Sequence, residues 1–219
     1  MYQFIHVETY SLTASKKKIK FNDETKGPGR NVSDIINEVK RKPGFCEHVE
    51  APEEPKVLYG VTPDEVENLA KNYFKNTKLK DSLGRSRALR KDANVLLAGV
   101  ISLSNELVDI WEDYKKDAIK YLKEKYGDRL VSVVEHTDED HPHLHFYCIQ
   151  EENKSFDLLH DGKKAFNADS KLPRYKKEIA FKSAMRDFQE DFYSKVSTKH
   201  GLLKTGPKRA RLTNEEYKA

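Results

Sequence analysis

The chain has few cysteines and no long apolar run. Its 219 residues include two cysteines, Cys46 and Cys148, which are far apart in the sequence. This number and spacing exclude a disulfide framework and a C-x-x-C metal motif. The absence of an apolar run of about 18 residues argues against a transmembrane helix, and residues 1–7 lack the basic region and cleavage site of a signal peptide. We therefore expect a cytoplasmic protein without a membrane segment.

The chain is nearly balanced in charge, but its basic residues are clustered. It has 40 lysines and arginines against 36 acidic residues, a net charge of +4, and residues 192–214 contain no acidic residue. Such clusters indicate contact with the phosphate backbone of a nucleic acid, although a solvated lysine-rich surface gives the same composition. The first cluster contains Arg85, Arg87, Arg90 and Lys91, and the second contains Lys208, Arg209 and Arg211.

Hydrophobic patterning predicts an α+β fold with a mostly antiparallel central sheet flanked by helices. Strands are predicted at residues 2–10, 95–103, 131–135 and 143–149. Helices are predicted at residues 33–41, after a capping box at residues 62–65, at about 107–127, and at 175–196. Residues 57–60 are read as a short apolar segment and residues 161–162 as part of a loop. This pattern suggests one domain, 1–198, followed by a basic segment, 199–219.

Half of the eight histidines lie in one ten-residue segment, 136–145. His143 and His145 are two apart in a predicted strand, so their side chains project to the same face. A hairpin turn before this strand would bring His136 beside them. Three convergent imidazoles that leave coordination positions open are typical of a catalytic divalent metal site. His141, on the turn, is the histidine least expected to bind the ion.

Together with the basic clusters, a histidine-rich metal site suggests a metal-dependent reaction at a phosphodiester. The segment also matches a specific motif, H-x-D-E-x-x-P-H-x-H, here as His136-x-Asp138-Glu139-x-x-Pro142-His143-x-His145. In this motif the chain resembles the MobV-type (Pre/Mob) plasmid mobilisation relaxases of the HUH endonuclease superfamily. The resemblance covers roughly residues 1–200 and is strongest at 88–146, where Leu89-Arg-Lys-Asp-Ala93 also fits.

The resemblance implies an HUH relaxase-like fold and a defined reaction. Such relaxases nick single-stranded DNA at a transfer origin, which gives a 5′-phosphoryl–enzyme link and a free 3′-hydroxyl. It implies that His136, His143 and His145 bind Mn²⁺ or Mg²⁺ and that Glu139 matches a carboxylate associated with this site. It also implies that the partners are single-stranded DNA and an origin hairpin, and it raises the prospect of other mobilisation or coupling proteins. Because relaxases often continue into a longer C-terminal region, we expect this chain to be a fragment.

The nucleophile is where the chain departs from the family. MobV relaxases carry a catalytic histidine in a short H-N-x-R-like segment, whereas the corresponding residues 37–41 here contain no histidine. Glu38 aligns most naturally with that position. Tyr10, at the end of the first strand, is an alternative because most other HUH enzymes use tyrosine, and a nearby cation would lower the phenol's pKa. His48, in the following loop, is a third candidate.

Further candidate DNA contacts lie early in the chain. Arg30 and Arg41 could bind a phosphate bidentately, and His6 on the first strand is expected to contact DNA or neighbour the metal. The resemblance implies that the first strand and residues 85–91 follow the single-stranded DNA. Trp111 lies in the apolar stripe of a predicted helix and is expected in the core.

Three other functions share parts of this pattern. A rolling-circle replication initiator would use the same metal site. A catalytically inactive HUH-like module that binds DNA hairpins would explain the missing histidine. An unrelated metallohydrolase is disfavoured because the sequence offers no further acidic ligand set for a second metal.

Overall fold

The computed structural model describes residues 1–14, 29–47 and 49–206, so four predicted site residues, His48, Lys208, Arg209 and Arg211, lie outside it. The strands described are β1 Phe4–Ser11, β2 Lys56–Gly60, β3 Lys78–Lys80, β4 Ser86–Ala88, β5 Asn94–Ser102, β6 Leu130–His136 and β7 His143–Cys148. The α-helices described are α1 Val32–Val39, α2 Pro63–Asn76, α3 Trp111–Tyr126, α4 Asp161–Asn167 and α5 Arg174–Lys195. Short 3₁₀ helices connect them at Asn105–Ile110, Gly127–Arg129, Phe156–Leu159 and Ser197–His200.

Five strands form one antiparallel sheet in the order β1-β5-β7-β6-β2. The predicted α+β class with a mostly antiparallel sheet flanked by helices is confirmed. Strand β7 pairs with β5 on one side and β6 on the other, so it lies at the centre of the sheet. The histidine-bearing strand is therefore fixed by hydrogen bonds along both edges, which makes it a rigid support for a site.

Helices cover both faces of the sheet. On one face, Tyr126 of α3 packs against Phe146 of β7, and Phe192 of α5 packs edge-on against Tyr114 of α3. Gly99 makes this packing possible, because a Cβ at that position would overlap the Phe146 ring. On the other face, α1 contacts the end of β6 through a hydrogen bond between the Val39 carbonyl and His136.

Helix starts follow local capping chemistry. The predicted capping box of α2 is confirmed: Thr62 caps the helix, Glu65 returns the hydrogen bond, and Pro63 occupies the first turn. For α1 the predicted start at residue 33 is shifted, since Asn31 and Asp34 form the capping box. Ser33 instead donates to Glu67 of α2, which joins the two helices.

Three elements differ from the sequence prediction. The segment read as short and apolar is the edge strand β2, paired with β6. The basic stretch before β5 contains a two-stranded hairpin, β3–β4. Residues 161–162 begin helix α4 rather than a loop, because His160 caps the backbone N–H of Lys163. Among the helices that the structure describes, none has the length and apolar character needed to cross a membrane.

Residues beyond α5 pack back onto the start of the chain. Leu202 is buried, and the backbone of Leu203 exchanges hydrogen bonds with Met1 and Gln3 in a parallel bridge beside β1. The Gln3 side chain accepts a hydrogen bond from Ser197. The two ends of the described chain therefore meet at one edge of the sheet.

Candidate metal centre

Three histidines converge at one end of strands β6 and β7. His136 ends β6 and lies directly opposite His143, the first residue of β7, and His145 follows on the same face. Their ring centroids are 4.9–5.2 Å apart, and one nitrogen from each lies within 4.8 Å of the others. The hairpin turn therefore brings His136 beside His143 and His145, as predicted from the sequence.

Hydrogen bonds to the backbone orient two of these rings. His136 Nε2 lies 2.9 Å from the Val39 carbonyl, and His143 Nδ1 lies 2.9 Å from the His141 carbonyl. Because a carbonyl only accepts, each of these nitrogens carries the proton and the other nitrogen of each ring keeps a lone pair. The lone pair of His136 Nδ1 is buried without a hydrogen-bond partner in the described part of the chain. A metal ion is the partner that this geometry fits.

The environment keeps the imidazoles uncharged. Burial, followed by the charge of Arg41, lowers the pKa of His136 to about 4. Burial also holds the pKa of His145 well below its ordinary value. Neutral imidazole is the form that binds metals, so these two rings are competent ligands at neutral pH.

Two carboxylates stand next to the histidines on the β6–β7 turn. Asp138 binds the Arg41 guanidinium at both oxygens, with distances of 2.8 and 2.5 Å, and it also accepts from the backbone N–H of Glu53. Glu139 Oε1 accepts from the same guanidinium at 2.7 Å and lies 3.7 Å from His143 Nε2. His136, Asp138 and Glu139 also form a set close enough to hold an ion. Because Arg41 already binds both carboxylates, the three histidines are the better donor set.

A cavity of 820 Å³ opens over the histidines. Its lining includes His143 and His145 and an excess of acidic side chains over basic ones. The acidic residues in this lining are Glu38, Glu47, Glu50, Asp138, Glu139 and Asp140, and the basic partner is Arg41. A phosphate entering this cavity needs compensating positive charge, which a bound divalent ion would provide.

The structure places two nucleophile candidates on the histidine-bearing side of the sheet. Glu38, on α1, lines the cavity and forms an ion pair with Arg30. Tyr10, partly buried near the end of β1, donates its hydroxyl to Glu8 at 2.7 Å. Burial and then the hydrogen bond to Glu8 raise the pKa of Tyr10, with Arg30 only partly opposing this. We expected a nearby cation to lower the pKa of the Tyr10 phenol, but this arrangement raises it.

His6 lies closer to the metal centre along the sheet than Tyr10. Register places His6 opposite Val100, which in turn lies opposite His145. Two strand spacings, about 10 Å, separate His6 from His145. Tyr10 lies four residues beyond His6 along β1, which adds a displacement of about 13 Å along the strand. The side chain of His6 is exposed and lies 3.7 Å from Glu8. The roles expected for His6, a DNA contact or a neighbour of the metal, stay predictions.

Four of the predicted DNA-contacting arginines fall into two groups. Arg85 and Arg87 extend from the β3–β4 hairpin and share Asp81 as an ion-pair partner, and Arg90 pairs with Asp92; all three remain exposed. Arg41 differs, because its side chain is buried and its guanidinium is bound by two carboxylates. This arrangement argues against a phosphate contact by Arg41.

The opposite face of the sheet holds a buried charge network that the sequence argument missed. Glu135 accepts hydrogen bonds from Trp111 and Lys115, each at 2.7 Å. Trp111 is buried, which agrees with its expected place in the core. The residue before the first metal-site histidine is thereby anchored to α3. Alternation along the strand is a signal that could have placed Glu135 and His136 on opposite faces of the sheet. The contacts of Glu135 with Trp111 and Lys115 could not be found this way, because these partners are distant in the sequence.

Comparisons with known proteins agree with this geometry. A family model described as plasmid recombination enzyme, Mob_Pre, matches residues 64–219. Similar solved structures include the MobM relaxase domain (MOBV; Mob_Pre) bound to 22-nucleotide oriT DNA of plasmid pMV158 with Mn, at pH 5.5. It is 17% identical, with a TM-score of 0.62 over 100% of this chain and 98% of that chain.

The same MobM domain bound to 26-nucleotide oriT DNA is 15% identical, with a TM-score of 0.56 over 99% of both chains. At this identity the likeness concerns the fold. A search of curated protein sequences finds no significant match.

Proposed function

Because the chain belongs to the plasmid recombination enzyme (Mob_Pre) family, as its histidine motif indicated, we propose that it is a metal-dependent relaxase. In this proposal it nicks single-stranded DNA at a transfer origin and remains linked to the 5′-phosphate. The observation that carries the proposal is the buried His136 Nδ1, which has no hydrogen-bond partner among the described residues and belongs to a ring that clusters with His143 and His145.

The reaction makes specific demands on the chain's own residues. A bound divalent ion would stabilise the negative charge that develops on the non-bridging phosphate oxygens. His136, His143 and His145 would hold it, and the backbone hydrogen bonds of His136 and His143 would fix the orientations of those two rings. As a side-chain nucleophile forms its bond to phosphorus and the P–O3′ bond breaks, a phenol or imidazole nucleophile gives up its proton and the departing oxygen takes one up to become the 3′-hydroxyl. In this proposal Glu139, which lies 3.7 Å from His143, transfers this proton.

Three residues remain candidates for the nucleophile in this proposal. Glu38 lines the cavity, Tyr10 shares the histidine-bearing face, and His48 lies outside the described residues. A Glu38 acyl phosphate would hydrolyse readily and preserve the strand end poorly. Tyr10 would give a stable phosphotyrosine link, provided that DNA or metal binding offsets the raised pKa of its phenol.

Cofactor and partners follow from the site and its relatives. We propose Mn²⁺ ahead of Mg²⁺, because imidazole ligands suit manganese better than magnesium, and the MobM structure with 22-nucleotide oriT DNA at pH 5.5 is Mn-bound. The partners would be single-stranded DNA and an origin hairpin, contacted by the exposed β3–β4 hairpin, Arg30, Lys91 and the basic segment at 208–211. Action on plasmid DNA also fits a cytoplasmic location.

The first test is a search for the covalent adduct. The protein is incubated with Mn²⁺ and single-stranded oligonucleotides tiling the DNA around its gene, and adducts are resolved on denaturing gels. We expect one adduct, and mass spectrometry of the linked peptide will identify Tyr10, Glu38 or His48. Metal binding without any adduct would instead favour the DNA-binding module that lacks catalysis.

Replacing one ligand tests the metal centre directly. His143→Ala should abolish both the rise in melting temperature on adding Mn²⁺ and the nicking activity, because two imidazoles hold the ion weakly. His200→Gln is the matched control, since it removes an imidazole that contacts Tyr114 and Asp117 on the other side of the sheet. An unchanged Mn²⁺-dependent rise in His143→Ala would contradict the ligand assignment.

A further inference from the structure

Arg41 has a backbone conformation that is unusual for arginine. It follows helix α1 with a φ of 53°, in the left-handed region. Glycine is the usual residue just after a helix, because a side chain makes this conformation strained. The conformation turns the Arg41 side chain back toward the β6–β7 turn, 97 residues away in sequence.

In that position the Arg41 side chain is held by two carboxylates. Three of its hydrogen bonds reach carboxylates, two to Asp138 and one to Glu139, at 2.5–2.8 Å. The side chains of Arg41 and Asp138 are 4% and 1% exposed, so this ion pair is shielded from water. A shielded bidentate pair fixes both partners in one geometry.

The position of Asp138 gives this contact a consequence for the metal centre. An oxygen of Asp138 and one of Glu139 lie close enough to His136 to form a ligand set with it. If either carboxylate joined the three imidazoles, it would fill a coordination position that a reacting phosphate needs. Arg41 binds both carboxylates in this structure, so its guanidinium competes with an ion for their oxygens.

We propose that Arg41 is a positioning residue that keeps Asp138 and Glu139 off the metal, so that three imidazoles alone hold the ion. The inference rests on the metal centre of the proposed function. It assigns to Arg41 a role inside the protein instead of a contact with DNA phosphate. Asp138, in turn, serves to anchor Arg41 and binds no metal.

Cobalt provides a readout that does not depend on activity. The visible d–d absorption of Co²⁺ changes with the number and type of its ligands, so it reports a carboxylate joining the imidazoles. Arg41→Gly suits the left-handed backbone and removes the clamp. We expect its Co²⁺ spectrum to differ from that of the unaltered protein and its Co²⁺ dissociation constant to fall at least tenfold. Adding Asp138→Asn and Glu139→Gln together should restore most of the original spectrum.

Two controls separate this role from simpler effects. Lys40→Met removes a neighbouring positive charge that pairs with the exposed Asp64, and it should leave the Co²⁺ spectrum unchanged. Asp138→Asn alone should also leave the spectrum unchanged; this variant tests the proposal even if Arg41→Gly does not fold. An altered spectrum in Asp138→Asn would mean that Asp138 is a ligand and would overturn the proposal.

The outcomes also distinguish the inference from the proposed function. If the unaltered protein binds Co²⁺ and folded Arg41→Gly gives the same spectrum, the positioning role is wrong and the metal centre stands. If the unaltered protein binds neither Co²⁺ nor Mn²⁺, the metal centre itself is wrong, and the role of Arg41 falls with it.

Discussion

Neighbouring residues on the β6–β7 turn have very different surroundings. Both residues line the cavity, but the side chain of Asp138 is 1% exposed against Arg41, whereas that of Glu139 is 28% exposed. A carboxylate that exchanges protons with a substrate needs an exposed oxygen, and one that orients an arginine does not. Exposure therefore separates a proton-transfer role for Glu139 from an anchoring role for Asp138.

Glu139→Gln tests this separation. Glutamine keeps an oxygen that can accept from Arg41 but cannot carry the proton, so cleavage should slow by about 10²–10⁴-fold, while DNA affinity changes little. Single-turnover cleavage and fluorescence anisotropy with an uncleavable oligonucleotide measure the two quantities separately. Equal losses of rate and affinity would contradict a role in proton transfer.

At the scale of elements, the pairing of β6 with β7 explains why the histidines could be found from sequence. Their convergence needs only period-two strands and a short turn, both of which are local properties. The contribution of α1 could not be found this way, because the contacts of Arg41 and Val39 with the turn and His136 span 97 residues. Helix α4 was missed because a histidine cap is weaker evidence for a helix start than serine, threonine or aspartate.

The contact between α3 and the Ser197–His200 helix provides a pH-dependent prediction. Burial raises the pKa of Asp117, but hydrogen bonds from His200 and Lys199 outweigh this and hold the pKa below its ordinary value. Because the folded pKa is the lower one, the stabilisation is present above the unfolded pKa, about 3.9, and is lost as the pH falls through the folded pKa.

Asp117→Asn should therefore lower the free energy of unfolding by about 0.5–1 kcal/mol at pH 7. The difference from the unaltered protein should shrink as the pH falls from about 4 toward 2.5. Urea titrations at each pH measure it. A difference that stays constant over this range would show that the charge of Asp117 is not responsible.

At the scale of the whole molecule, the charges divide into separate regions. The cavity over the histidines is lined mainly by acids, whereas Arg85, Arg87 and Arg90 stand on and beside an exposed hairpin. A net charge of only +4 cannot by itself attract DNA strongly. The distribution instead suggests that the basic elements bind the DNA strand. A bound metal ion would offset the acidic lining of the cavity, so that one phosphate can enter it.

The boundary between a domain at 1–198 and a basic segment at 199–219 stays a prediction, and the packing of the chain's end bears on it. Residues after 198 contribute the buried Leu202, the Leu203 bridge to Met1 and Gln3, and the contacts of His200 with Asp117. Gly206 packs against the Tyr2 ring. These contacts indicate that the folded unit includes residues up to at least 206.

Two truncations would test where the folded unit ends. Removing residues 199–219 takes away Leu202 and the Leu203 bridge, so the free energy of unfolding should fall by about 3 kcal/mol or more. Removing only 207–219 keeps all of these contacts and should therefore lower it by less than the longer deletion does. The shorter deletion also removes Lys208, Arg209 and Arg211, so it should weaken DNA binding and flatten its salt dependence. Equal stability of both truncations would place the boundary at 198, and an unchanged salt dependence in the shorter deletion would remove the basic segment from the DNA-binding surface.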